Sequence, residues 1–361
     1  MSRTDGEYYL PPTAAPKLEA LVDQIVARRG VLPDLNEMRA ASDQIDVRKV
    51  VDTLPEGMTR EDLVGILKLA MLTECATDSY AAVFQDGAER YNAPWLARFN
   101  EKVWVPDEHT HATPYQLMLQ TLGYTEEELE REQRETQEKT YEHCCGRTPV
   151  ELATYGVIQE YLTDNWHGLI ANLLKPGAPY AAHCANVIKR RETLHTVWYR
   201  DMAALQVEEN PELLPLVAKT VLGFQMPGTR LVPQFGTRAL EWMHEMHQDF
   251  GQIGRDLVRN FADMAGTVKR TGQLLMDIAV RRGYPIGPFS PRLVQSTLNA
   301  LGGPGYGLMG EAILDKVGLL PMSANRGGVY GKVRGRMRAF VADRIDLRVV
   351  TGETTAAPAA A

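Results

Sequence analysis

Apolar residues recur every three or four positions through most of this chain, and the pattern is clearest from residue 59 onward. Thr59-Arg60-Glu61-Asp62 has the form of a capping box, in which a threonine and an acidic side chain satisfy each other's backbone N–H groups. Leu63, Ile66, Leu67, Ala70 and Met71 follow at helical spacing, predicting a helix that buries this stripe and carries a carboxylate, Glu74, on the same face. A second helix is expected over about 94–122. Pro106 and Pro114 fall inside it, and a proline both removes an N–H and crowds the preceding turn, so this helix should bend, break or widen into a π-bulge. The densely charged stretch 126–142 reads as a solvent-facing helix. Thr148-Pro149-Val150-Glu151 is another capping box, with proline at the first helical position, and should start a helix running through Glu160 to about residue 174. Further helices are expected over 181–206, 211–224, 235–265 and 265–282. No alternating apolar pattern is sustained enough to build a sheet, so the fold class is all-α.

Composition adds boundaries to that picture. With 361 residues, 44% of them hydrophobic, the chain can bury an extended core. Beyond Pro285 glycine becomes frequent, as in Gly302-Gly303-Pro304-Gly305, and basic residues gather at Arg326, Lys332, Arg334, Arg336 and Arg338. The expected division is a helical domain over 1–285 and a Gly-rich basic appendage over 286–361 that ends in a frayed tail. A formal charge of -7 argues against wholesale nucleic-acid binding. The first sixteen residues lack the basic flank and apolar run of a secretory signal, and no window approaches a membrane span. Four cysteines, Cys75, Cys144, Cys145 and Cys184, have neither metal-ligand nor disulfide-framework spacing, which suits a reducing cytoplasm.

The chemistry lies in a repeat. Glu74 is followed 34 residues later by Glu108-x-x-His111, and Glu160 is followed 32 residues later by Glu192-x-x-His195. Residues three apart on a helix share a face, so each Glu-x-x-His can direct a carboxylate and an imidazole at one ion. One glutamate from each of two helices plus a Glu-x-x-His from each of two others is the ligand set of ferritin-like di-metal carboxylate bundles. The expectation is therefore a ferritin-like four-helix core with additional helices, holding two ions through Glu74, Glu108, His111, Glu160, Glu192 and His195. Oxygen donors plus imidazole, without thiolate, suit iron, with manganese possible. Glu241-x-x-His244, with Glu245 and His247 nearby, has no second copy and reads as a solvent-facing or dimer-face segment.

This order of motifs resembles the soluble acyl-carrier-protein desaturases, the plant stearoyl type and its actinobacterial relatives. Glu160-x-x-Thr163-x-x-x-His167-Gly168 is similar to a stretch around that family's third ligand, and Met226-Pro227 resembles a Met-Pro found downstream of it. The similarity spans roughly residues 40–285. Asp107-Glu108-His109-Thr110-His111 stands where the plant pattern is Glu-Glu-Asn-Arg-His, and Arg191 stands where an acidic residue precedes the second Glu-x-x-His. A ligating imidazole usually gives its other nitrogen to a carboxylate or carbonyl, so Asp164 and His167, on the Glu160 face, become the candidates to support His195.

The resemblance implies a di-iron, dioxygen-dependent enzyme that removes two hydrogens from adjacent methylenes of a fatty acyl chain held on acyl carrier protein. Thr163 would hydrogen-bond or protonate an oxygen species as a catalytic residue, or simply bond a helix carbonyl. Electrons would come from a ferredoxin-type donor, since neither a dinucleotide fingerprint nor iron–sulfur cysteine spacing is present. Lys189-Arg190-Arg191 is a candidate docking face for such acidic partners. A homodimer is implied as well. The alternatives are another di-iron oxygenase on the same scaffold, a non-catalytic iron-binding paralogue, or a relative of the ribonucleotide reductase small subunit, in which Tyr115, four residues after His111, would be the radical tyrosine.

Overall fold

The computed structural model describes residues 8–139, 141–236 and 238–266, and residue 277 by itself. The Gly-rich basic segment from 286, the tail and most of the helix expected over 265–282 lie outside the described residues. Every regular element among the described residues is helical, as the pattern predicts.

Two α-helices, α1 (Ala14–Arg28) and α2 (Leu35–Ala40), and two short 3-10 helices, Ser42–Ile45 and Arg48–Thr53, precede the bundle. Next, α3 (Arg60–Glu74) opens under its capping box: Asp62 N–H donates to Thr59 Oγ1 at 3.2 Å and Thr59 N–H donates to Asp62 Oδ2 at 2.9 Å. All of α3 from Asp62 to Glu74 is buried, as befits a helix packed on every side. After a two-residue break comes α4 (Thr77–Arg90).

The second ligand helix is broken as its prolines foretell, into α5 (Pro94–Phe99), a π-helical turn (Asn100–Trp104), α6 (Val105–Glu108) and α7 (Ala112–Thr121). In the π turn Val105 N–H reaches back five residues to the Asn100 carbonyl, which widens the backbone just ahead of Pro106. Pro114 sits in the first turn of α7, where an N–H has no intrahelical acceptor to lose. Between α6 and α7 the chain tightens, and His111 N–H bonds Glu108 O at 3.0 Å, only three residues back.

The other half is regular. After α8 (Glu126–Gln137), the long α9 (Pro149–Leu174) and α10 (Pro179–Glu209) form a hairpin and make the most extensive helix contact among the described residues. Gly156 of α9 allows this approach, because a Cβ there would stand 2.6 Å from the Tyr199 ring of α10. Then α11 (Leu214–Gly223), α12 (Gly228–Leu231), α13 (Pro233–Gly236), α14 (Ala239–Glu245) and α15 (Phe250–Met264) complete the described chain. The single helix expected over 235–265 is thus interrupted, most sharply at His247, which takes a φ of 61°. The core is α3, the α5–α7 series, α9 and α10. α1 covers α5 and α10, α15 lies on α10 and α9, and α12 to α14 cover α3.

Candidate metal centre

Glu74 ends α3, Glu108 ends α6, His111 immediately precedes α7, Glu160 lies within α9, and Glu192 and His195 lie within α10. All six side chains are buried, and they meet in the middle of the bundle. Their donor atoms fall into two groups, Glu74–Glu108–His111–Glu192 and Glu108–Glu160–Glu192–His195, each with its atoms within 4.8 Å of one another. Glu108 and Glu192 belong to both groups. His111 Nδ1 lies 2.9 Å from Glu192 Oε1, 3.6 Å from Glu108 Oε2 and 3.7 Å from Glu74 Oε2. His195 Nδ1 lies 3.0 Å from Glu108 Oε1 and 3.5 Å from both Glu160 Oε2 and Glu192 Oε2. The imidazoles stack across the site with centroids 6.2 Å apart.

These close approaches lack hydrogen-bond alignment. Among the described residues, Glu108 Oε1, both Glu192 oxygens and the Nδ1 atoms of His111 and His195 are buried with no hydrogen-bond partner, although buried polar atoms ordinarily have one. Lone pairs converging on a shared space are what cation ligands present, so the residues fit metal ions. Electrostatics agree. Burial, then the neighbouring carboxylates Glu108 and Glu160, push the Glu192 carboxyl far above its usual range. Burial opposes charge on His111 and His195, yet the surrounding carboxylates drive both imidazoles well above theirs. The pocket draws positive charge, and its donors are hard oxygens with imidazole and no thiolate.

The surrounding groups hold the donors in place. Trp104 Nε1 donates to Glu160 Oε1 at 3.0 Å. Tyr115 donates its hydroxyl to His167 Nδ1 at 2.5 Å, which leaves His167 Nε2–H to donate to Glu74 Oε1 at 3.1 Å. His195 Nε2–H donates to Asp107 Oδ2 at 2.9 Å, and Arg191 grips the same carboxylate, its Nε 3.0 and 2.8 Å from the two oxygens. Burial works against charge on Asp107, but the hydrogen bonds from His195 and Arg191 hold its carboxyl below the usual range.

Here the structure corrects the expected support for His195. Asp107 supplies it, not Asp164 or His167. Asp164 instead accepts from Lys189 and Thr193, each at 2.9 Å, and His167 serves Glu74. Lys189 and Arg191 are therefore engaged with acids, and of the basic triplet only Arg190 is exposed. Thr163 Oγ1 donates to the carbonyls of Gln159 and Glu160 at 2.9 and 3.1 Å, so a catalytic part would need that hydrogen released from the helix. Glu241 and His244 are exposed, away from the cluster, as expected. Met226 and Pro227 lead into α12, whose Gly228 lies against Thr73 of α3, one residue before Glu74. Sequence reasoning missed Trp104 and the role of Asp107. The position of Asp107 directly before Glu108 was the available signal, read across the repeat to the opposite histidine.

A helical bundle with two overlapping buried groups of carboxylate and imidazole donors offers the kind of ligand set found in ferritin-like carboxylate bundles. Among family models, that of the fatty acid desaturases matches residues 15–262, more than half of the chain and a span that contains the six candidate ligands. The chain belongs to this fatty acid desaturase family. A search of curated proteins returned no match. No helix among the described residues is long and apolar enough to cross a membrane.

Proposed function

We propose that this chain is a di-iron, dioxygen-dependent desaturase that introduces a double bond into a fatty acyl chain carried as a thioester on acyl carrier protein. The observation that carries this reading is the sharing of Glu108 and Glu192 between the two donor groups, an arrangement suited to a pair of ions bridged by carboxylates. Membership of the fatty acid desaturase family supports a fatty acyl substrate. Iron at this site would supply the oxidising power that amino-acid side chains lack for an unactivated C–H bond. In the overall balance the acyl –CH2–CH2– becomes –CH=CH–, and its two hydrogens, two protons and two electrons convert one dioxygen into two waters.

The chain's own residues position and insulate the site. Glu74 and His111 would hold one ion, Glu160 and His195 the other, and Glu108 and Glu192 would span both. His167 and Trp104 orient the outer carboxylates, while Asp107 keeps the proton of His195 on Nε2 and its Nδ1 lone pair toward the centre. Phe84 stacks on Trp104 with centroids 5.7 Å apart, and Phe99 meets Tyr199 at 5.0 Å, giving this side a dry aromatic wall. Electrons arrive from a ferredoxin-type donor, and the enzyme works as a cytoplasmic homodimer. The test is to incubate iron-loaded protein with ferredoxin, its reductase, dioxygen and a panel of acyl-carrier-protein thioesters. Mass spectrometry should show a loss of two hydrogens, whereas a gain of one oxygen would transfer the protein to the di-iron oxygenases.

A further inference from the structure

Resting on that two-ion reading, we infer that the two ion positions are held unequally: the Glu160/His195 position binds tightly and the Glu74/His111 position weakly. The outer carboxylates do not create the difference. Glu160 is held by Trp104 at 3.0 Å and Glu74 by His167 at 3.1 Å. The imidazoles do. His195 rests on Asp107, and Asp107 is locked by the two-pronged Arg191 guanidinium, which also donates to the Arg29 carbonyl at the end of α1 at 2.6 Å. His111 is equally buried, at 0% exposure, yet among the described residues its Nε2 has no hydrogen-bond partner.

The repeat explains the gap. Asp107 precedes Glu108 of one Glu-x-x-His and serves the histidine of the other. By the same relation position 191, which precedes Glu192, corresponds to a partner for His111, but it carries an arginine, which cannot accept a hydrogen bond. Arg191 turns instead to Asp107, reinforcing the half that already has its anchor. Backbone adds to the difference, since His195 stands inside α10 whereas His111 stands in the break before α7. A carboxylate behind a ligating imidazole fixes its tautomer and raises its basicity, and losing one typically weakens metal binding by ~10–100-fold. Arg191 is therefore a positioning residue.

The experiment is an anaerobic titration of the full chain with Co(II), read by visible absorption and chelator competition, without turnover. Two steps are expected, separated by ~10–100-fold in affinity. Glu160→Gln should remove the tight step and Glu74→Gln the weak one, because each residue belongs to only one donor group. Asp107→Asn, close to isosteric, should weaken the tight step by ~10-fold or more and draw the two together. Arg191→Lys, which keeps the charge but loses the fork, should produce a smaller shift in the same step. Two equal steps in the parent protein, or an Asp107→Asn variant that weakens both steps alike, overturn the inequality while leaving the two-ion site standing. Absence of any Co(II) uptake, or uptake untouched by Glu108→Gln, overturns the two-ion reading and the inequality with it.

Discussion

Glu192 and His195 stand in the middle of a 31-residue helix, whereas Glu108 and His111 stand on either side of a break between two short ones. The internal geometry of the two motifs is nonetheless almost the same: imidazole nitrogen to carboxylate oxygen is 3.5 Å within the first pair and 3.6 Å within the second. A three-residue hydrogen bond from His111 N–H to Glu108 O keeps the interval through the break, so the motif needs one correctly formed turn and not a continuous helix. What the continuous half gains is external. The α9–α10 hairpin is closely packed along its length, and His195 has a carboxylate behind it, whereas His111 has none among the described residues.

The largest effect should come from the carboxylates common to both donor groups. Glu108→Gln on the broken half and Glu192→Gln on the continuous half should each lower metal affinity by at least ~100-fold, as a direct ligand should exceed the upper end of what an outer partner contributes. Elemental analysis of dialysed protein checks this, and a marked difference between the two variants would show that one half dominates the site. Gly156→Ala comes next. Its new methyl would meet the Tyr199 ring at 2.6 Å, so overpacking should cost about 1–3 kcal/mol in urea denaturation; a neutral result would mean the hairpin has slack that the geometry denies.

Asp62→Asn probes the helix that carries Glu74. Burial disfavours the Asp62 charge, but Trp242 at 2.9 Å, the Thr59 cap and Arg238 hold its carboxyl below the usual value. A depressed carboxyl contributes its stability above the ordinary aspartate value of about 3.9 and loses it as pH falls through the lower folded value. The substitution should therefore cost about 1–3 kcal/mol near pH 7, with the gap from the parent closing below about pH 4. Equal penalties at pH 7 and pH 3 would remove charge from the explanation. Smallest of all, Pro114→Ala should stay within about 1 kcal/mol, because the first turn of α7 has no N–H bond to regain there. A large gain in stability would reveal strain in the break.

Much of this architecture can be read in one dimension. Thr59 and Asp62, and Thr148 and Glu151, open their helices as their spacing predicts, since a capping box is satisfied within four residues. The six candidate ligands converge as their repeat suggests, and Pro106 and Pro114 mark where the second helix yields. Harder to read was the stretch over 235–265, whose helical periodicity continues across the break between α14 and α15, where His247 takes a positive φ. The partner of His195 was also misplaced, because Asp107 lies 88 residues away from it in sequence and belongs to the other copy of the motif.

Spacing, caps and proline positions act over a few residues, so they were enough to place the helices that carry the candidate ligands, the donor set and the place where one helix must break. Which acid stands behind which histidine, that Arg191 joins Asp107, and that His111 Nε2 finds no partner among the described residues depend on how helices distant in sequence pack against one another. Those relations follow from burial and the directionality of hydrogen bonds across the assembled core, and local propensity carries no record of them.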